Sequence, residues 1–118
     1  MLIEGQLTGG CVQGIGGSLY EEFTYSDSGD PLSVTFADYL IPSATEVPRI
    51  DVKFAEFPSP LNPLGVKGVG ESGCVPAAGA IVSAIENALA PFGVRIGEYP
   101  VTPARLFALL AGRQKQQN

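Results

Sequence analysis

Nine residues constrain this chain more than any others: Gly65-Val66-Lys67-Gly68-Val69-Gly70-Glu71-Ser72-Gly73. The four glycines lack a Cβ, so the backbone there can take positive φ and come close enough to a ligand for its amides to donate hydrogen bonds. The run follows residues 57–63, too rich in proline for helix or central strand and expected to arrive as a stiff extended segment. It precedes the strongest helical pattern in the chain. From residue 77 to 90, Ala78, Ile81, Val82, Ile85, Ala88 and Leu89 recur near every 3.6 positions, and Pro76 suits the first turn. One carboxylate, Glu71, thus stands shortly before a helix N-terminus, where the macrodipole favours negative charge.

The segment from Gly68 to Gly73 satisfies GxGxxG, but a dinucleotide fingerprint needs a strand immediately before its first glycine. Here the approach carries proline, and Glu71 would set a negative charge where the pyrophosphate must sit. A P-loop fails as well, since no Gly-Lys-Ser/Thr ends the run.

Upstream, residues 7–25 place Val12, Ile15, Leu19 and Phe23 on a helical stripe. Glycines at 9, 10, 14, 16 and 17 each cost such a helix about 1 kcal/mol relative to alanine, so it needs tight packing or a ligand. Gln13 is the one side chain in that run able both to donate and to accept at an amide. Glu21 and Glu22 read as a solvated helix end, and residues 26–31 as a turn. Strict alternation predicts strands over residues 32–36 and 50–54, with a short third at 94–96. Between the first two, Tyr39 is expected to pack its ring and tie its hydroxyl to backbone. Thr102 as N-cap and Pro103 open a last helix carrying Leu106, Phe107, Leu109 and Leu110, closed by Gly112. The expectation is an α+β fold of about three helices packed on a small sheet of two to three strands. It forms one domain over residues 1–112 with a polar, frayed tail at 113–118.

Seven basic against 12 acidic residues give a net charge of −5, and no window concentrates Lys or Arg. Nucleic acid and anionic membrane surfaces are therefore not expected partners. No apolar run has the length of a signal peptide or membrane span, which reads as cytoplasmic. Cys11 and Cys74, with no histidine anywhere, cannot assemble a zinc site; reduced, buried thiols are expected, with a disulfide the less favoured alternative in a cytoplasmic setting.

The run GVKGVGESG, preceded by Asn62-Pro63 and followed by a small-residue helix, resembles the last catalytic segment of the molybdenum hydroxylases. That is the family of xanthine dehydrogenase, aldehyde oxidase and the large subunit of aerobic carbon monoxide dehydrogenase. Residues 10–16 with Glu21-Glu22, the run Asp38-Tyr39-Leu40-Ile41-Pro42, and Thr102-Pro103-Ala104-Arg105 look like the family's successive C-terminal blocks, in order. The resemblance covers nearly the whole chain, yet the family's molybdopterin-binding subunits are several times longer.

The resemblance implies that Glu71 is a general base beside the molybdenum, taking a proton from a metal-bound hydroxyl or water. Gln13, Gly68, Val69 and Gly70 would contact the molybdopterin cofactor. Lys67 could orient anionic groups, though a surface ion pair is the plainer role. Three readings follow: a fragment of an oxidoreductase subunit, inactive alone; a non-catalytic oligomerisation or partner-binding module that keeps the fold only; and a helix-entry turn in which Glu71 bonds local amides. The surface that the rest of a large subunit would cover is expected to be apolar, and buried by self-association or by another subunit.

Overall fold

The structure is a computed structural model that describes residues 2–114. Helix α1 spans Leu2–Leu19, α2 spans Ala77–Ala88 and leads into a 3-10 turn at Ala90–Phe92, and α3 spans Pro103–Gln114. Helix α1 begins five residues before the predicted start and ends well short of Tyr25. Its last turn closes when the amides of Tyr20 and Glu21 both donate to the Gly16 carbonyl at 2.9 Å. Helix α3 is capped as expected, the Arg105 amide donating to Thr102 Oγ1 at 3.2 Å, but it continues through Gly112. The tail expected from residue 113 is helical to Gln114, and residues 115–118 lie outside the described residues.

The glycines of α1 explain how so weak a helix is held. Gly14 and Gly16 are buried. A Cβ at Gly10 would come within 2.9 Å of the Cys74 nitrogen, and one at Gly14 would run into the Ala77 methyl. Helix α1 therefore lies backbone to backbone against the start of α2, the principal helix–helix contact among the described residues. Gly9 and Gly17 meet nothing within 4 Å.

The expected sheet is absent. Among the described residues there is no strand at 32–36, 50–54 or 94–96, only one isolated antiparallel bridge between Tyr25 and Pro31. The fold is three helices joined by long irregular segments, not α+β. Alternation supplies a strand with a face, but a strand exists only through its ladder, and among the described residues these segments build none. The turn before the first does form, with Gly29 at φ 88° and the Leu32 amide donating to Thr24 O at 2.8 Å.

The chain is also open. Its Cα radius of gyration is 18.4 Å, against about 13.5 Å for a compact domain of this length. Its accessible surface of 8986 Å² exceeds by roughly 2,900 Å² the ~6,100 Å² of a folded monomer of its mass. Among the described residues only Val94 and Val101 are fully buried apolar side chains, whereas Phe36, Phe57, Leu61 and Leu64 are broadly exposed.

Candidate functional site

The approach to the glycine loop is not the extended segment predicted. It is a compact loop in which Gly65, at φ 65°, donates to Asn62 O at 3.1 Å and accepts from the Ser59 amide at 3.0 Å. Asn62 closes it, its Oδ1 accepting from the Val66 amide at 3.0 Å while its Nδ2 donates to Val66 O at 3.1 Å. The sequence signal for this clamp is Asn62, three residues before Gly65 and followed by proline, which is a turn signature.

Beyond it the backbone winds into turns that lead to α2. The Ser72 amide donates to Val69 O at 3.2 Å, and the amides of Cys74 and Val75 donate to Glu71 O at 3.0 and 3.1 Å. Gly73 is buried because its Cα faces α1: a Cβ there would overlap the Leu7 carbonyl oxygen and approach the Cys11 nitrogen to 3.1 Å. Of the four loop glycines only Gly65 takes positive φ. Gly73 is required by contact. Gly68 and Gly70 need neither, since nothing lies within 4 Å of a Cβ at either.

Gly68, Val69, Gly70, Glu71, Ser72, Val75 and Pro76 line an open concavity of about 630 Å³. Glu71 is exposed at it, and its carboxylate has no hydrogen-bond or ionic partner among the described residues. The amides of residues 68–71 likewise donate to no acceptor among the described residues. Local amides therefore do not cap Glu71. Gln13 is exposed on α1, between the two glycines that seat that helix on the start of α2, and does not line this concavity. Lys67 is exposed and forms no ion pair among the described residues. No group of three His, Cys, Asp or Glu side chains among the described residues could hold a bare metal ion. The donor set is instead one of bare amides round an open cradle beside a free carboxylate, which fits an anionic organic cofactor that carries its own metal.

Glu21 and Glu22 take separate partners. Tyr39 Oη donates to Glu21 Oε2 at 2.6 Å, rather than to backbone as expected, and this bond to a carboxylate, with its charge, raises the phenol above its ordinary pKa. The sign follows: the neutral phenol supports the folded pairing below about pH 10, and that support is lost as pH rises through the raised value. Arg105 Nη2 donates to Glu22 Oε1 at 3.3 Å and Nη1 to Pro100 O at 2.9 Å, so α3 clasps the end of α1. Sequence reasoning gave Arg105 no role, because nothing in the spacing tells which of the acidic residues it meets. The cysteines are free thiols, half-buried where the loop crosses α1.

The family description "Molybdopterin cofactor-binding domain" matches residues 1–48. The gamma subunit of the 6-hydroxypseudooxynicotine dehydrogenase complex of Paenarthrobacter nicotinovorans is 48% identical over 114 residues, which are 96% of this chain and 14% of that protein. Quinoline 2-oxidoreductase from Pseudomonas putida 86 superposes with a TM-score of 0.90 at 45% identity, covering 94% of this chain and 14% of that one. Reconstituted carbon monoxide dehydrogenase from Oligotropha carboxidovorans gives 0.92 at 30% identity, covering 98% and 14%.

Helices, glycine loop and relatives together match one segment of the large subunits of molybdenum hydroxylases. The chain belongs to the molybdenum hydroxylases, the family of xanthine dehydrogenase and carbon monoxide dehydrogenase, and matches 14% of the length of the large-subunit relatives compared.

Proposed function

We propose that this chain supplies the general-base segment of a molybdenum hydroxylase site, with Glu71 as the base and Gln13, Gly68, Val69 and Gly70 as cofactor contacts. The observation that carries the reading is the pairing of a free carboxylate with the unused amides of residues 68–71 around one concavity. Gly68 and Gly70 are glycines without an internal reason, so the space they leave suits a molecule pressed against the backbone. When bound, molybdopterin would present a metal that activates water as the source of the transferred oxygen and takes up the two electrons. The free amides of residues 68–70 would hold its acceptor groups, Gln13 would approach it from α1, outside the concavity, and the Glu71 carboxylate would take up the proton that the reaction releases. The relatives at 48 and 45% identity are named for 6-hydroxypseudooxynicotine and for quinoline, and the one at 30% for carbon monoxide, which supports an organic substrate rather than carbon monoxide. A cytoplasmic setting belongs to this same reading. No helix among the described residues is long and apolar enough to cross a membrane.

The chain alone encloses too little to be active, and it works joined to the remainder of a large subunit. Molybdenum analysis of the purified chain, with and without any co-purifying polypeptide, tests this: stoichiometric metal is expected only with the polypeptide. In that assembly Glu71→Gln is expected to keep the metal and lower kcat by about 10²–10⁴-fold. Loss of metal along with turnover would make Glu71 a structural residue. The second reading, a partner-binding module without catalysis, is favoured by the exposed apolar surface, and a stable oligomer free of molybdenum would establish it.

A further inference from the structure

The amides of residues 68–71 bond nothing among the described residues, and the carbonyls of Val69 and Glu71 accept only from residues 72–75, on the α2 side. The cradle therefore takes its place from its two ends. At the far end Gly73 is buried against the Leu7 carbonyl and the Cys11 nitrogen of α1. At the near end the last fixed residue is Val66, and one side chain fixes it. Asn62 Oδ1 accepts from the Val66 amide at 3.0 Å while Nδ2 donates to the Val66 carbonyl at 3.1 Å. A side-chain amide carries a donor and an acceptor side by side, which is why it can grip both polar groups of one residue. Asn62 is itself held. It is half-buried, its carbonyl accepts from the Gly65 amide at 3.1 Å, and Pro63 disfavours helical backbone before it. No other side chain among the described residues bonds to the backbone of residues 66–72.

We propose that Asn62 is a positioning residue for the Glu71 site. Through Val66 it sets the direction in which residues 67–71 leave the loop, and so where the free amides and the Glu71 carboxylate stand. The inference rests on the functional reading above. A carboxylate that takes up a proton must stay within hydrogen-bond reach of it, and a misplacement of about 1 Å caused by a change far from the chemistry can cost about 10²-fold in rate. Lys67 cannot do this work, since it is exposed and forms no ion pair among the described residues. Ser59 cannot either. Its Oγ accepts from the Leu61 amide at 3.2 Å and its amide donates to Gly65 O at 3.0 Å, which closes the other side of the loop without touching Val66. The residue type is also specific. Alanine loses both bonds to Val66, and aspartate keeps the acceptor for its amide but has no donor for its carbonyl.

The test begins with the 118-residue chain, where loop order is read without any cofactor. Trypsin cuts after Lys67 only when the loop opens, so Asn62→Ala is expected to speed that cut about 10-fold and the exchange of the Val66 amide by a similar factor. The helical circular dichroism is expected to stay unchanged, because residues 59–66 bond to no helix. Ser59→Ala is expected to leave the cut after Lys67 at its original rate. For the site itself, the 118 residues replace the matching segment of quinoline 2-oxidoreductase. In this hybrid Asn62→Ala is expected to keep molybdenum and KM and to lower kcat roughly 10–100-fold, with Asn62→Asp in between. An unchanged cut after Lys67 overturns the proposal, and so does an equal effect of Ser59→Ala. Unchanged kcat, a rise in KM alone or loss of molybdenum in the hybrid overturns it as well. Should the unsubstituted hybrid hold no molybdenum, cleavage and exchange in the chain decide. Glu71→Gln in the same hybrid separates the two ideas. Turnover lost there but kept in Asn62→Ala sinks the clamp and leaves the functional reading, and turnover kept there while Asn62→Ala lowers it does the reverse.

Discussion

Glycines that look alike in the loop have different reasons to be there, and substitution separates them. Gly73 sits against the α1 backbone, so Gly73→Ala must push the loop off the helix, and a loss of about 1–3 kcal/mol is expected from the overpacking. Gly68→Ala meets open space and should leave the helical circular dichroism and its urea midpoint unchanged. In an assembled enzyme the order reverses for cofactor, with Gly68→Ala expected to lower molybdenum content. Equal effects of both on the isolated chain would refute the distinction. Glu46 offers a second residue-level test. It accepts from Ser43 Oγ at 2.5 Å, from Thr45 Oγ1 at 2.6 Å and from the Ser43 amide at 2.7 Å, and these bonds lower its pKa to about 2. A depressed carboxyl supports the turn above its unfolded pKa, near the ordinary 4.5, and that support fades as pH falls towards about 2. The carboxyl carbon followed by NMR should titrate near 2, and Ser43→Ala should move the midpoint up. A midpoint that stays put would show the Ser43 hydroxyl is not the cause. The glycine run showed in the sequence that something comes close. It did not show that α1 is what meets Gly73, because a close approach names no partner.

At the scale of elements, all three helices were legible, since a 3.6 period, Pro76, and the Thr102-Pro103 start are local signals. The strands were not, because alternation reports a face and pairing depends on chain elsewhere. The α1–α2 seam is equally non-local: nothing in residues 2–19 says that Gly14 faces Ala77. It can be tested by moving one methyl group across it. Gly14→Ala collides with the Ala77 methyl and is expected to lower the urea midpoint of the helical signal, by about 1–3 kcal/mol in stability. Adding Ala77→Gly removes the collision and should restore most of that, less about 1 kcal/mol for a glycine in the first turn of α2. If the double variant is as weak as the sum of the two singles, the helices do not meet there.

At the scale of the molecule, the open shape has one consequence for every experiment on the isolated chain. Stability in a domain comes from apolar side chains removed from water together, and here Val94 and Val101 alone are fully buried among the described residues. The steepness of unfolding scales with the surface newly exposed, so a chain that already exposes Phe36, Phe57, Leu61 and Leu64 has little left to release. The isolated chain is therefore expected to unfold in urea over a broad range, with an m value well below that of a compact domain of its length. It is also expected to bind a hydrophobic dye before any denaturant is added. Both properties should vanish in complex with the complementary part of a large subunit, which would cover the same side chains. A steep transition without dye binding, in a chain shown monomeric by sedimentation, would mean that these residues cover one another in solution. The Glu71 concavity would then belong to a self-sufficient domain rather than to one wall of a shared site.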